Sequence, residues 1–193
     1  MRIPRATAIL STGAVVLLAA YPFTVYFLMD RGDIRVAGLV LLAAIAIRLL
    51  LPGAPRLQAL AALLVGAAFA AAIALTNNET LARLYPVGVS VAMLAAFGLT
   101  LLRPPSMIER IARAAGAPLD AAGVRYTRGV TIVWCAFFTA NGCVALATAL
   151  FGSREAWALY NGLLSYVLAG AILAGERLVR GRVLRRAASP VRG

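Results

Sequence analysis

Six long apolar stretches, separated by short polar links, constrain the fold of this chain more than any other feature of its sequence. About 20 apolar residues, at about 1.5 Å each along a helix, are enough to cross the roughly 30 Å hydrocarbon core of a bilayer. We predict transmembrane helices over about residues 6–29, 34–51, 57–76, 80–102, 128–152 and 155–177. A hydrophobic content of 62% exceeds that of ordinary soluble domains. The predicted fold is therefore all-α, a polytopic membrane bundle of six transmembrane helices in one domain over 1–179.

The first apolar stretch could also be a signal peptide that is removed from the mature protein. The stretch continues to Leu28, so it is longer than the apolar region of a signal peptide, and no clean small-residue cleavage site precedes Tyr21. We therefore predict that it is retained as a membrane helix.

Arginine is distributed unevenly between the two ends of the predicted helices. The chain carries 19 basic residues, all arginine, against 7 acidic residues. One side would hold Arg2, Arg5, Arg48, Arg56, Arg103, Arg110, Arg113, Arg125, Arg128, Arg177, Arg180, Arg182, Arg185, Arg186 and Arg192, and the other only Arg31, Arg35, Arg83 and Arg154. Cytoplasmic loops are enriched in basic residues, so both termini are predicted to be cytoplasmic, with 180–193 as a basic tail.

These charges flank apolar helices, so the expected partners are the lipid bilayer and anionic lipids at the cytoplasmic face. Membrane or cytoplasmic protein partners are also expected, but nucleic acid is not. The oligomeric state stays open.

A polar segment between the fourth and fifth helices predicts a short amphipathic helix over about 106–115, lying at the cytoplasmic interface. Ser106 and Glu109 have the spacing of a capping box, and Gly116 is a helix stop. A charged linker without a helix is the alternative.

Residues that perform catalysis or bind metals are scarce in this sequence. It has no histidine, and its two cysteines, Cys135 and Cys143, lie within one apolar stretch. General acid–base catalysis and metal sites most often use histidine. We therefore predict no enzyme activity, no catalytic residue, no metal and no cofactor.

The fifth predicted helix carries a row of residues spaced alternately four and three apart, which places them on one helical face. We call this row the seam; it consists of Thr127, Thr131, Trp134, Phe138, Asn141, Ala145 and Thr148. An antiparallel hairpin turning near residue 153 would place Asn141 level with Tyr166 and Thr148 level with Leu159. It would also bring Arg128 close to Glu176 as an ion pair.

The candidate site residues on this hairpin are Thr131, Trp134, Phe138, Asn141, Thr148, Tyr160, Asn161 and Tyr166. Helix packing and ligand binding both account for such a polar seam. Trp157 and Tyr160 would lie in an aromatic belt at the outer membrane–water boundary.

A family resemblance is carried by Arg103, Pro104, Pro105, Ser106, Ile108, Glu109 and Arg110, then Tyr126, Thr127, Arg128, Thr131, Trp134, Phe137, Phe138, Asn141, Gly142 and Thr148, and finally Trp157, Tyr160, Asn161, Gly162 and Glu176. This order resembles a family of uncharacterised bacterial inner-membrane proteins found with aryl-polyene and xanthomonadin-like pigment biosynthesis genes, some labelled ketosynthase. More distantly, the chain is similar to the intracellular septation protein A family, small polytopic proteins linked to division and elongation. The resemblance implies a bacterial inner-membrane location.

Two functions follow as expectations. The first is a non-catalytic accessory or organiser protein of envelope or aryl-polyene-type lipid biosynthesis. The alternative is a small transporter or flippase-like carrier of a lipid-linked product. A connected cavity lined by Asn141, Asn161 and Tyr166 would favour the carrier, whereas a closed, dry bundle would favour the organiser.

Overall fold

A computed structural model describes residues 20–50 and 57–188, with side chains described for 20–46, 64 and 66–179. The helices are α1 (Ala20–Met29), α2 (Arg35–Leu50), α3 (Leu57–Thr76), α4 (Glu79–Leu102), α5 (Met107–Ala114), α6 (Ala121–Phe151), α7 (Arg154–Leu159) and α8 (Ser165–Ala188). A π-helical turn, Tyr160–Leu164, joins α7 to α8 without a break. No strand occurs within the described ranges, so the predicted all-α class is confirmed.

Three helices are long and apolar enough to cross a membrane. They are Glu79–Leu102, Ala121–Phe151 and the continuous helix Arg154–Val179. Shorter apolar helices cover Ala20–Met29, Arg35–Ala46 and Gly66–Thr76. Most of the first predicted span, 6–19, lies outside the described residues, as do 51–56 and 189–193. The described residues thus contain three helices that could span a membrane, which is compatible with a multi-pass membrane protein; six spans remain a prediction.

The link between α3 and α4 is tied to the start of α2 by one side chain. Asn77 has a positive φ of 51°, a conformation that asparagine tolerates better than most residues. Its Oδ1 accepts hydrogen bonds from the backbone N–H of Ile34 at 2.7 Å and of Arg35 at 3.2 Å. Its Nδ2 donates to the Gly32 carbonyl at 3.0 Å. These bonds satisfy helix-end groups that would otherwise lack partners.

A group of buried rings, Phe97, Trp134 and Phe138, joins α4 to α6. The Phe97 ring lies 5.2 Å from Phe138 and 6.2 Å from Trp134, measured between ring centres. Farther along the same pair of helices, a Cβ added at Gly142 would lie 3.2 Å from Ser90 Cβ. The missing side chain at Gly142 therefore lets α4 and α6 approach closely, as small residues do between membrane helices.

The short helix α5 lies within the range predicted for an interfacial helix. Glu109 is buried and pairs with Arg113 at 2.8 Å, whereas Ile111 is exposed. The predicted capping box is wrong, because the Ser106 side chain makes no capping hydrogen bond. The α5 backbone docks on α6 instead: the Ile108 N–H donates to Thr131 Oγ1 at 3.3 Å.

Two helix boundaries differ from the predictions. α6 begins at Ala121 rather than near Arg128, because Asp120 accepts a hydrogen bond from the Gly123 N–H at 2.7 Å and caps the helix. At the other end of the chain, α8 continues as helix to Ala188 and passes through the predicted boundary between 179 and 180.

Candidate functional site

A cavity of about 310 Å³ lies among α1, α4, α6 and the last helix. We call it the groove. Its wall on α6 consists of the seam residues Trp134, Phe138 and Asn141, together with Phe137. Asn161 and Tyr166 from the last helix line it as well. The groove therefore brings together five of the eight predicted site residues.

The groove is elongated along the helices. On the last helix its lining runs from Asn161 to Ala169, which at about 1.5 Å per residue is about 12 Å. On α6 it runs from Asn141 to Trp134. Amide and hydroxyl groups lie toward the Asn161 end, and the rings of Trp134 and Phe138 lie toward the other end. The groove thus has a polar end and an apolar end.

A chain of hydrogen bonds crosses three helices beside the groove. The Tyr160 hydroxyl donates to Asn141 Oδ1 at 3.2 Å, and Asn141 Nδ2 donates to Ser90 Oγ at 3.1 Å. Ser90 in turn donates to the Pro86 carbonyl at 3.0 Å. Asn141 therefore bonds to Tyr160, whereas Tyr166, which the hairpin prediction placed level with Asn141, lines the same groove.

A proline in α4 creates one wall of the groove. Pro86 has no N–H, so the Ala82 carbonyl lacks its usual helical donor four residues later. The Tyr21 hydroxyl donates to this carbonyl at 3.1 Å and fills the gap. Tyr21 is buried, and its ring lies 4.7 Å from that of Tyr85. This contact was not predicted from the sequence, although a proline inside a helix signals that a carbonyl needs another donor.

Asn161 lies at the polar end of the groove and is only 3% exposed. Its Nδ2 donates to the Trp157 carbonyl at 2.9 Å and to Thr148 Oγ1 at 3.3 Å. Its Oδ1 is buried and has no hydrogen-bond partner within the described residues. Thr148, predicted to lie level with Leu159, thus contacts Asn161 instead. A buried polar atom without a partner costs free energy, and such an atom points to a missing ligand or water.

Arginine side chains close the bundle beyond the polar end. Arg83 Nη2 donates to the carbonyls of Thr148 at 2.8 Å and Gly152 at 2.7 Å. The indole N–H of Trp157 donates to the Arg83 carbonyl at 2.9 Å. Arg154 pairs with Glu79 at 2.7 Å. Trp157 is fully buried in this contact, so its prediction as an aromatic-belt residue is wrong.

The remaining predicted site residues lie apart from the groove lining. Thr131 is fully buried and donates to the Thr127 carbonyl at 2.8 Å while it accepts the bond from α5. Thr148 and Tyr160 support the groove through Asn161 and Asn141. Tyr166 lies at the rim of the groove and is 47% exposed.

The predicted ion pair between Arg128 and Glu176 is not among the ion pairs that join described residues. Arg128 Nη1 donates instead to the Leu101 carbonyl, at 3.0 Å, at the end of α4. The Tyr126 hydroxyl is the α6 group that reaches α8, donating to the Glu176 carbonyl at 3.2 Å. Residues two apart on a helix point in nearly opposite directions, so Arg128 faces away from Glu176.

The groove lining carries amide, hydroxyl and aromatic side chains, which can bind a ligand. This lining within the described residues carries no charged side chain. No group of three or more His, Cys, Asp or Glu side chains in that part of the chain could hold a metal ion. No family model, curated protein or solved structure matches this chain. The family resemblance therefore stays a prediction, and the groove carries the functional argument.

Proposed function

We propose that this chain is a bacterial inner-membrane protein that binds a lipid-linked product of envelope or aryl-polyene-type biosynthesis and carries it without altering it. The supporting observation is the groove, which is lined by Asn141, Asn161 and Tyr166 together. This is the arrangement expected for a carrier, whereas an organiser would have a closed bundle.

The size and openness of the groove suit part of a long apolar molecule. Small-molecule sites measure roughly 300–1,000 Å³, so about 310 Å³ suits one end of a lipid better than a whole one. Three lining residues, Val89, Met93 and Tyr166, are 43%, 38% and 47% exposed on the side of the helices. An apolar chain can therefore leave the groove sideways, toward the surrounding acyl chains.

The proposal includes six membrane helices with both termini in the cytoplasm. Charge placement supports this orientation. Arg103, Arg125 and Arg128 are exposed at the α5 end of the bundle, where the positive-inside rule favours them. At the opposite end, Arg83 and Arg154 pair with Glu79, and Arg154 also lies 3.5 Å from Asp30, so two acids offset the two arginines.

A second candidate function is that of an accessory protein that organises biosynthetic partners at the membrane. The exposed arginines at the α5 end favour it, because a basic cytoplasmic surface suits acidic protein partners as well as anionic lipids. The groove has no role in this second function.

Purification in lipid nanodiscs followed by mass spectrometry of bound lipids tests the two functions. The groove-filling variant Ala169→Phe has a matched control in Ala171→Phe, since Ala169 lines the groove and Ala171 is exposed on the same helix. We expect a stoichiometric lipid-linked product with the wild type and the control, and its loss with Ala169→Phe.

Three other outcomes are informative. Stoichiometric protein partners without a bound product would favour the organiser. A product bound equally by Ala169→Phe and Ala171→Phe would show that the groove is not its site. A preparation with neither partner nor product would contradict both functions.

A further inference from the structure

The polar end of the groove selects the head group of its ligand. We infer that this head is an uncharged hydrogen-bond donor, a hydroxyl or an amide N–H, bound by Asn161 Oδ1. The inference rests on the proposed function, since it concerns the molecule that the groove would carry.

The hydrogen bonds of Asn161 fix which of its atoms remains available. The Trp157 carbonyl can only accept, so the side-chain atom 2.9 Å from it must be the Nδ2 donor. The second bond of Nδ2, to Thr148 Oγ1, uses its other hydrogen. The oxygen is then the free group, buried and without a partner within the described residues. Only a donor can satisfy it.

The hydroxyls of Ser165 and Thr148 do not supply that donor. Ser165 Oγ donates to the Asn161 carbonyl at 3.1 Å, and Thr148 Oγ1 donates to the Ala145 carbonyl at 3.0 Å. Each hydroxyl has one hydrogen, so both are already used. A ligand hydroxyl or amide would complete the hydrogen bonding of this end of the groove.

Charge argues against an anionic head group. The groove lining among the described residues has no arginine, and a buried anion without a counter-charge is costly. The nearest cation at this end is Arg83, which contacts the Thr148 carbonyl on the far side of Asn161. Its Nη2 already donates to two carbonyls, and Glu79 lies 3.9 Å from its Nη1. Its Nε is buried without a partner, so a phosphate that reached Nε is the alternative to be tested.

Ligand binding can be measured at the apolar end of the groove through the fluorescence of Trp134. A ligand whose head binds Asn161 extends its chain about 12 Å along the last helix to Ala169, which packs against the rings of Trp134 and Phe138. Trp157, the other tryptophan, is fully buried outside the groove lining. A chain with a bromine quencher should therefore quench Trp134 selectively, and Trp134→Phe should abolish the signal.

The experiment compares three chain-brominated probes on delipidated full-length protein in neutral detergent: hexadecanol, hexadecyl methyl ether and hexadecyl phosphate. The ether keeps the oxygen and the chain but has no donor. Satisfying a buried acceptor favours the alcohol, so we expect it to bind about tenfold more tightly than the ether. We expect the phosphate to bind no more tightly than the alcohol.

The outcomes separate the head-group inference from the groove itself. Equal affinities for alcohol and ether would overturn the donor inference and leave the groove as a lipid site. Tightest binding of the phosphate would overturn the uncharged head and implicate Arg83. Absence of Trp134 quenching by every probe would overturn the groove as a lipid site altogether. Asn161→Leu should abolish the preference for the alcohol. If this variant does not fold, the alcohol and ether affinities of the wild-type protein still test the donor inference.

Discussion

Replacing Arg83 by methionine should weaken the attachment of α4 to the end of α6. Arg83 is 14% exposed at its side chain, and its Nη2 donates to the Thr148 and Gly152 carbonyls at 2.8 and 2.7 Å. Thr148 lies in the last turn of α6 and Gly152 is its C-terminal capping residue, and this end of a helix favours a positive charge. The Thr148 carbonyl also accepts from the Gly152 N–H at 3.1 Å, so Arg83 adds a second bond there. Methionine keeps most of the length of the side chain but removes both bonds and the charge.

The expected magnitude follows from the two bonds. Hydrogen bonds to a charged group contribute about 1.5–3 kcal/mol in soluble proteins, but interhelical bonds in membranes average only about 0.6 kcal/mol, with a maximum near 1.7. The unpartnered Nε of Arg83 opposes folding and lowers the net value. We expect Arg83→Met to reduce the free energy of unfolding by about 2 kcal/mol. Arg83→Lys keeps the charge but only one bond at a time, so its loss should be about half as large.

Equilibrium unfolding in dodecyl maltoside with increasing SDS, followed by the near-ultraviolet signal of Trp157, measures this difference. Trp157 is a local reporter because its indole N–H donates to the Arg83 carbonyl. Arg31→Met is the control, since Arg31 is exposed in the link between α1 and α2. It should change stability by less than about 0.5 kcal/mol. If Arg83→Met were as stable as this control, or if Arg83→Lys lost as much as Arg83→Met, the assigned role of the two carbonyl bonds would be refuted.

Three further predictions concern packing, the hydrogen-bond chain and orientation. Gly38→Ala should sharply reduce the yield of folded protein, because its Cβ would lie 2.6 Å from backbone atoms of α3. The control Gly170→Ala, whose Cβ would have no atom within 4 Å, should have no effect, and equal yields of the two variants by size-exclusion chromatography would contradict the close approach of α2 and α3. Asn141→Leu should leave membrane insertion intact but lower stability by about 1 kcal/mol in the same SDS titration, since it removes two interhelical bonds; unchanged stability would mean that the chain of bonds only sets register. In a cysteine-free background, Asp33→Cys should react with a membrane-impermeant maleimide in intact cells and Ala115→Cys only after permeabilisation; the reverse pattern would invert the proposed topology.

The sequence was sufficient to predict the helical class and the buried face of α6. In lipid, a helix satisfies its own backbone groups, so long apolar runs indicate helices whatever their neighbours are. The alternating four and three spacing of the seam selects one side of a helix. Thr131, Trp134 and Phe138 are all buried on that side. Both results depend on local periodicity, which the chain itself carries.

Helix ends were predicted less well, and the reason is also local. The start of α6 depends on a single hydrogen bond from Gly123 to Asp120, and a capping residue is easily missed within a polar loop. The failed capping box at Ser106 shows the opposite error. Suitable spacing does not form the bond when the helix docks elsewhere.

The partners of each helix face were decided only by the tertiary structure. Periodicity gives the direction of a side chain around its own axis, but the rotation and crossing of two helices depend on every contact between them. Asn141 therefore meets Tyr160 instead of Tyr166, and Arg128 turns to α4 while Tyr126 meets α8. The groove exists for the same reason. Its polar residues are visible in the sequence, but the unsatisfied oxygen of Asn161 arises only when the Trp157 carbonyl of its own helix and the Thr148 hydroxyl of α6 take up both amide hydrogens.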